Sequence, residues 1–182
     1  MVMEYWAVLQ GIVHPDHSAL DEVQERRQTA LAILFAIAVV ETFLNIYFRL
    51  QVAKEPFQIH EGTILDDLDK RRSLEYKLSH WPNLLFRKTF DQSAGVGLQF
   101  KELKDLRNKL MHFTTSHETL RIGDAELHGV SDISIYHNLT LQDSYHAWQT
   151  AHSTIAEILR LSGKTDDQVT REMIHWTAWP AV

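Results

Sequence analysis

Ala30-Leu31-Ala32-Ile33-Leu34-Phe35-Ala36-Ile37-Ala38-Val39-Val40 is an unbroken apolar run within a longer segment, about residues 19–50, that has neither Gly nor Pro. A helix that is apolar around its whole circumference has to be buried, either at the centre of a bundle or in a membrane. Arg27 and Arg49 bracket 21 residues, enough to span a bilayer. Two features decide against a span. Glu41 and Asn45 lie inside the bracket, where lipid would penalise both. The same helix also begins as a polar one, through Asp21, Glu22, Gln24, Glu25, Arg26 and Arg27. A central core helix is therefore expected, with no membrane association.

The flanking sequence supplies partners for such a helix. His14-Pro15-Asp16-His17-Ser18 reads as a turn, with Asp16 or Ser18 as the helix cap. Pro56 breaks the chain, and Thr63 with Asp66 then opens a charged helix toward Leu78, with a break near Ser73. Trp81-Pro82 places Pro in the first turn of a short helix to about Lys88. Ser93-Ala94-Gly95-Val96-Gly97 reads as a loop, and its Gly-x-Gly without a preceding strand does not define a nucleotide site. Phe100, Leu103, Leu106, Leu110 and Phe113 recur at spacings of three and four, so a helix runs over about 98–113. The pattern fades over 114–139. This is a long loop, with a short strand pair expected around Leu120–Ile122 and Ile133–Tyr136.

A further helix spans about 140–162, with Leu141, Tyr145, Trp148, Ile155, Ile158, Leu159 and Leu161 as core candidates. Gly163 ends it, and Thr165 caps a last short helix before Pro180. The apolar tail Trp176-Thr177-Ala178-Trp179-Pro180 either docks on its own domain or covers a dimer interface. The sum is an all-α fold, an antiparallel bundle of four principal helices plus shorter ones. It forms one domain over 1–182, with its core at about 18–162 and the N-terminal segment and C-terminal helix packed on it.

Cys is absent, which excludes disulfides and thiolate metal sites. Met1-Val2-Met3-Glu4-Tyr5-Trp6 has no basic stretch before an apolar run, so a cytoplasmic protein is expected. The net charge of −6 argues against non-specific nucleic-acid binding, but it hides an asymmetry. Lys70 to Lys109 holds ten Lys/Arg against four Asp/Glu, a local +6, while the rest carries −12. A basic middle in an acidic chain is compatible with a local polyanion site and equally with a solvated mixed surface. His14-x-x-His17 and the pair His112/His117 lack further ligands at metal spacing, so neither metal nor cofactor is expected.

The chemistry-bearing constellation is Arg107-Asn108-Lys109-Leu110-Met111-His112. On a helix Asn108 lies about 100° and His112 about 140° around from Arg107, and Asn108 and His112 are neighbours one turn apart. Arg forks onto phosphate oxygens, His moves protons near neutrality, and Asn orients a hydroxyl or fixes the imidazole tautomer. Together they suit in-line attack of an RNA 2′-OH on its own phosphate. Taken alone, the same residues also read as a surface Arg, an exposed Asn and a helix-end His. Glu41 and Asn45 form a second one-turn pair on the apolar helix, where a carboxylate needs a partner. Arg107 is the expected partner if the two helices pack side by side. Lys104 and Lys109 are candidate substrate-binding cations.

The stretch Phe100–Phe113, with Arg107, Asn108 and His112, resembles the signature helix of HEPN domains, and Glu41 matches in kind and place an acidic residue on their upstream core helix. The resemblance covers about Gln28 to Ser162. It implies a helical bundle that dimerises so that two Arg/His motifs line one cleft. It implies a metal-independent ribonuclease in which Arg107, Asn108 and His112 are catalytic and Glu41 and Asn45 supporting. The toxin–antitoxin or phage-defence setting of many members, with an antitoxin or other protein partner, is implied too. Other members bind RNA, nucleotides or proteins without catalysis, which is the alternative expectation.

Overall fold

Asp21 starts the central helix: its carboxylate accepts from the Gln24 N–H at 2.8 Å, and Gln24 Oε1 accepts in return from the Asp21 N–H at 3.1 Å. This reciprocal box satisfies two of the backbone donors a helix start leaves open. The computed structural model describes residues 1–13, 20–111, 119–122, 125–128 and 134–178, with 119–122 and 125–128 described by their backbone. Its elements are α1 (Val2–Val13), α2 (Glu22–Val52), a 3-10 turn (Phe57–His60), α3 (Glu61–Asp69), α4 (Leu74–Phe86) and α5 (Gly95–Met111), then β1 (Thr119–Ile122), β2 (Ala125–His128), α6 (Ser134–His137), α7 (Leu141–Leu161) and α8 (Asp166–Thr177).

The helical bundle is as expected, and α2 is its axis, packed against α7, α1 and α5. Helix α2 is long and apolar enough to cross a membrane, yet more than half of its most apolar window is buried inside this fold. Ala32, Ile33, Ala36, Val39, Val40, Phe43 and Leu44 are all buried, which explains the small-residue alternation: Ala lets neighbouring helices approach closely. Helices α2 and α7 start side by side. Thr29 Oγ1 donates to the Thr140 carbonyl at 3.1 Å, and Glu25 Oε1 accepts from the Leu141 N–H at 3.1 Å. Glu25 thereby caps α7 from outside, while Asp143 accepts from the Thr140 N–H at 2.8 Å within it.

Several boundaries differ from the sequence expectation. The cap of α2 is Asp21, while Asp16 and Ser18 lie outside the described residues. Helix α3 begins at Glu61, continuing the 3-10 turn, so Thr63 is internal rather than a cap. Ser73 is the cap of α4, and Pro82 sits inside that helix rather than opening a new one. The missing Pro N–H is a local loss that burial of Leu78, Trp81, Pro82 and Leu85 offsets. The 114–139 region is not one loop. Thr119–Ile122 pairs antiparallel with Ala125–His128 rather than with residues 133–136, and Ser134–His137 is helical. A partner close in sequence costs less loop closure than one eleven residues away. Tyr145, expected in the core, is exposed, whereas Trp148, Ile155, Ile158 and Leu159 are buried as expected.

Helix α1 was not legible. It contributes Val2, Trp6, Leu9 and Val13 to the core, with Trp6 wedged against Trp148 and His152 at ring-centroid distances of 6.0 and 5.6 Å. At the opposite end Trp176 of α8 docks edge-on against Phe43 (5.2 Å) and Tyr47 (6.2 Å), so this part of the apolar tail packs on its own domain. Residues 179–182 lie outside the described set.

Burial pushes the Tyr47 phenol up to about 12, and the hydroxyl is shut off from water without a hydrogen-bond partner among the described residues. A pKa above its unfolded value means that the fold holds the proton more tightly. The associated stability is fully present below about pH 10 and is lost as pH rises toward about 12. The rise from 10.0 to about 12 corresponds to about 3 kcal/mol. Urea unfolding at rising alkaline pH should show this decline, and Tyr47→Phe should flatten it; equal alkaline slopes would contradict the assignment.

Candidate anion site at the end of helix α5

Phe100 and Leu103 anchor α5 in the core, and Leu106 and Leu110 are half-buried on the same stripe. Helix α5 starts at Gly95, earlier than the pattern indicated, and Gly97 explains why that turn is built from glycines. A Cβ on Gly97 would collide with the Asp91 carbonyl, so the glycine serves close backbone approach and not phosphate binding. This anchoring fixes what the polar side of α5 presents.

Arg107 and Asn108 are half-buried near the C-terminal end of α5, and Lys109 is exposed beside them. The Arg107 Nε is buried and makes no hydrogen bond. Among the described residues the side chain has no ion pair either. Of the buried side-chain atoms left without a partner there, Arg107 Nε is the one that belongs to a permanently charged group. A guanidinium whose Nε is shut off from water without an acceptor carries a cost, so the arrangement fits a site completed by an anion. Its place in the last turns of α5 is favourable, because a cation there offsets the negative end of the helix dipole. His112, with His117 and Phe113, lies outside the described residues, as do His14 and His17.

Glu41 and Asn45 do not hold Arg107. They close on Lys77 of α4, whose Nζ donates to Glu41 Oε1 at 3.0 Å and to Asn45 Oδ1 at 2.9 Å. Lys77 also lies 5.6 Å from the Trp81 ring centroid and is only 4% exposed. The reason is geometric: α4 crosses the polar edge of α2 and brings a buried ammonium that needs the acceptors more than Arg107 does. The sequence signal for Lys77 was its position between Leu74, Leu78 and Trp81 on the buried face of α4. Lys104, a candidate substrate cation, is also committed elsewhere. It is buried and ion-paired with Glu75, with Asp105 at 3.6 Å. Lys109 remains available.

The positive middle survives folding. Four of its ten cations are tied down, in Lys70–Asp66, Arg72–Asp67, Lys77–Glu41 and Lys104–Glu75. Among the described residues Arg71, Arg87, Lys88, Lys101, Arg107 and Lys109 take part in no ion pair. Just before α4, Arg72 sits over the Tyr76 ring at 5.2 Å, and His80 of α4 lies 4.9 Å from the same ring. No group of three His, Asp or Glu among the described residues is arranged to hold a metal ion.

Fold and site define a helical bundle with a half-buried guanidinium that has no partner among the described residues. Comparison with protein-family models, with curated proteins and with solved structures returned no match.

Proposed function

We propose that this chain is a metal-independent endoribonuclease of the HEPN-like kind, acting as a homodimer on RNA. The observation that supports it most is Arg107, half-buried beside Asn108 on the motif helix, its Nε buried and unpartnered and its side chain without an acid among the described residues, whereas the buried Lys77 and Lys104 each have one. A phosphodiester oxygen supplies the acceptor that the chain itself withholds. The excess of unpaired cations between Lys70 and Lys109 is compatible with a polyanionic ligand.

In this reading His112 takes the proton from the RNA 2′-OH. The 2′-oxygen bonds to phosphorus and the P–O5′ bond breaks. The departing 5′-oxygen receives a proton from the second His112 of the dimer. The products are a 2′,3′-cyclic phosphate and a 5′-hydroxyl. Arg107 binds the non-bridging oxygens and stabilises their charge in the transition state. Asn108 orients the hydroxyl or the imidazole, and Lys109 contacts a flanking phosphate. Glu41 and Asn45 support the site only indirectly, by holding Lys77 and hence α4 in place.

The test is incubation of varied RNAs with the pure protein in the presence of a chelator. Cyclic-phosphate ends are expected, with cleavage lost in His112→Ala. RNA retention that falls with salt but proceeds without cleavage, and survives His112→Ala, would instead assign a binding module.

A further inference from the structure

A cation-rich cleft lies at the end of α2 against α8, built by residues that the proposed RNA site does not use. Tyr47 forms its floor, Lys54, Lys164 and Arg171 stand around it, and Glu172 and Trp176 form one wall. It encloses about 460 Å³, within the size range of small-molecule sites and larger than a bare phosphate requires.

The charges in this cleft do not cancel. Glu172 is the only acid lining it among the described residues, and both carboxylate oxygens are spent. Oε1 accepts from Lys164 Nζ at 3.1 Å, and Oε2 accepts from Trp176 Nε1 at 3.2 Å. Lys164 is thereby neutralised, and Lys54 and Arg171 form no ion pair among the described residues. Two uncompensated cations therefore line one concavity in a chain whose net charge is −6.

The aromatic wall is rigid. The Glu172 bond fixes the Trp176 indole, and the ring is set edge-on against Phe43 at 5.2 Å and Tyr47 at 6.2 Å. His175, also lining the cleft, meets Trp176 at 5.7 Å. Pinned rings beside free cations suit a ligand that is planar at one end and doubly charged at the other.

We propose that this cleft binds a nucleoside monophosphate, its phosphate on Lys54 and Arg171 and its base against Trp176 and His175. The site does not depend on the ribonuclease reading, because it shares no residue with Arg107 or His112.

The test is calorimetric titration of the full chain with AMP, with adenosine and inorganic phosphate as separate arms. Saturable AMP binding is expected, weakened about tenfold or more by Arg171→Ala and by Lys54→Ala and unchanged in Lys101→Ala. Adenosine and phosphate alone should each bind about tenfold more weakly than AMP. Both substitutions are at surface cations, so the fold is retained. The proposal is overturned by absence of AMP binding, by equal binding in the two cleft variants, or by phosphate binding as tightly as AMP.

Discussion

Arg107→Ala should reduce RNA cleavage by about a hundredfold to a thousandfold, the usual cost of removing one group that stabilises transition-state charge. Stability should hardly change, by about 1 kcal/mol or less, because the guanidinium gives no hydrogen bond or ion pair to the described residues. That combination of large kinetic loss and small thermodynamic loss separates a ligand-facing cation from a structural one. Arg107→Lys should rescue poorly, since an ammonium cannot present the planar fork that grips two phosphate oxygens. Cleavage rates and urea midpoints measured on the same preparations check both halves. A marked stability loss with unchanged cleavage would place Arg107 in the scaffold.

Glu41→Ala should act the other way, with a large effect on stability. It leaves Lys77, 4% exposed, with Asn45 as its one remaining acceptor. Removing the carboxylate strands a buried ammonium, and with the exposed side of Glu41 screened by water the cost is about 2 kcal/mol. Lys77→Met should cost less, because Glu41 is 41% exposed and can be hydrated once released. The double variant Glu41→Ala/Lys77→Met should recover most of the loss, as apolar replacement of a buried pair is often nearly neutral. Denaturant unfolding of the three variants measures this, and additive losses would contradict it. Folded Glu41→Ala should still cleave RNA, since its carboxylate holds Lys77 and not Arg107.

The fold was legible wherever one stretch of sequence had one solution. The apolar run at Ala30–Val40 admits few placements, and the Thr165 cap marks its helix directly. Helix α1 was hidden because 12 residues bury a narrow stripe, Val2, Trp6, Leu9 and Val13, and expose Met1, Met3, Tyr5 and Val8 around it. Apolar residues on both sides of a short segment blur its period. The hairpin was expected, but its second strand was misplaced, since short strands carry little pattern and proximity decided the pairing.

The site was legible by type and not by partner. That Glu41 needs a cation follows from its helix. Which cation answers depends on how α4 crosses α2, a tertiary relation that spacing does not encode. Arg107 and Lys104 look alike on the helix surface, yet Glu75 of α4 claims Lys104 and leaves Arg107 free.

The most direct measurement is analysis of RNA ends after incubation with the chelator-treated protein, comparing the unaltered chain with Arg107→Ala and His112→Ala. The account predicts 2′,3′-cyclic phosphate and 5′-hydroxyl ends from the unaltered chain and intact RNA from both folded variants. Intact RNA from all three proteins, or identical products from all three, would contradict it.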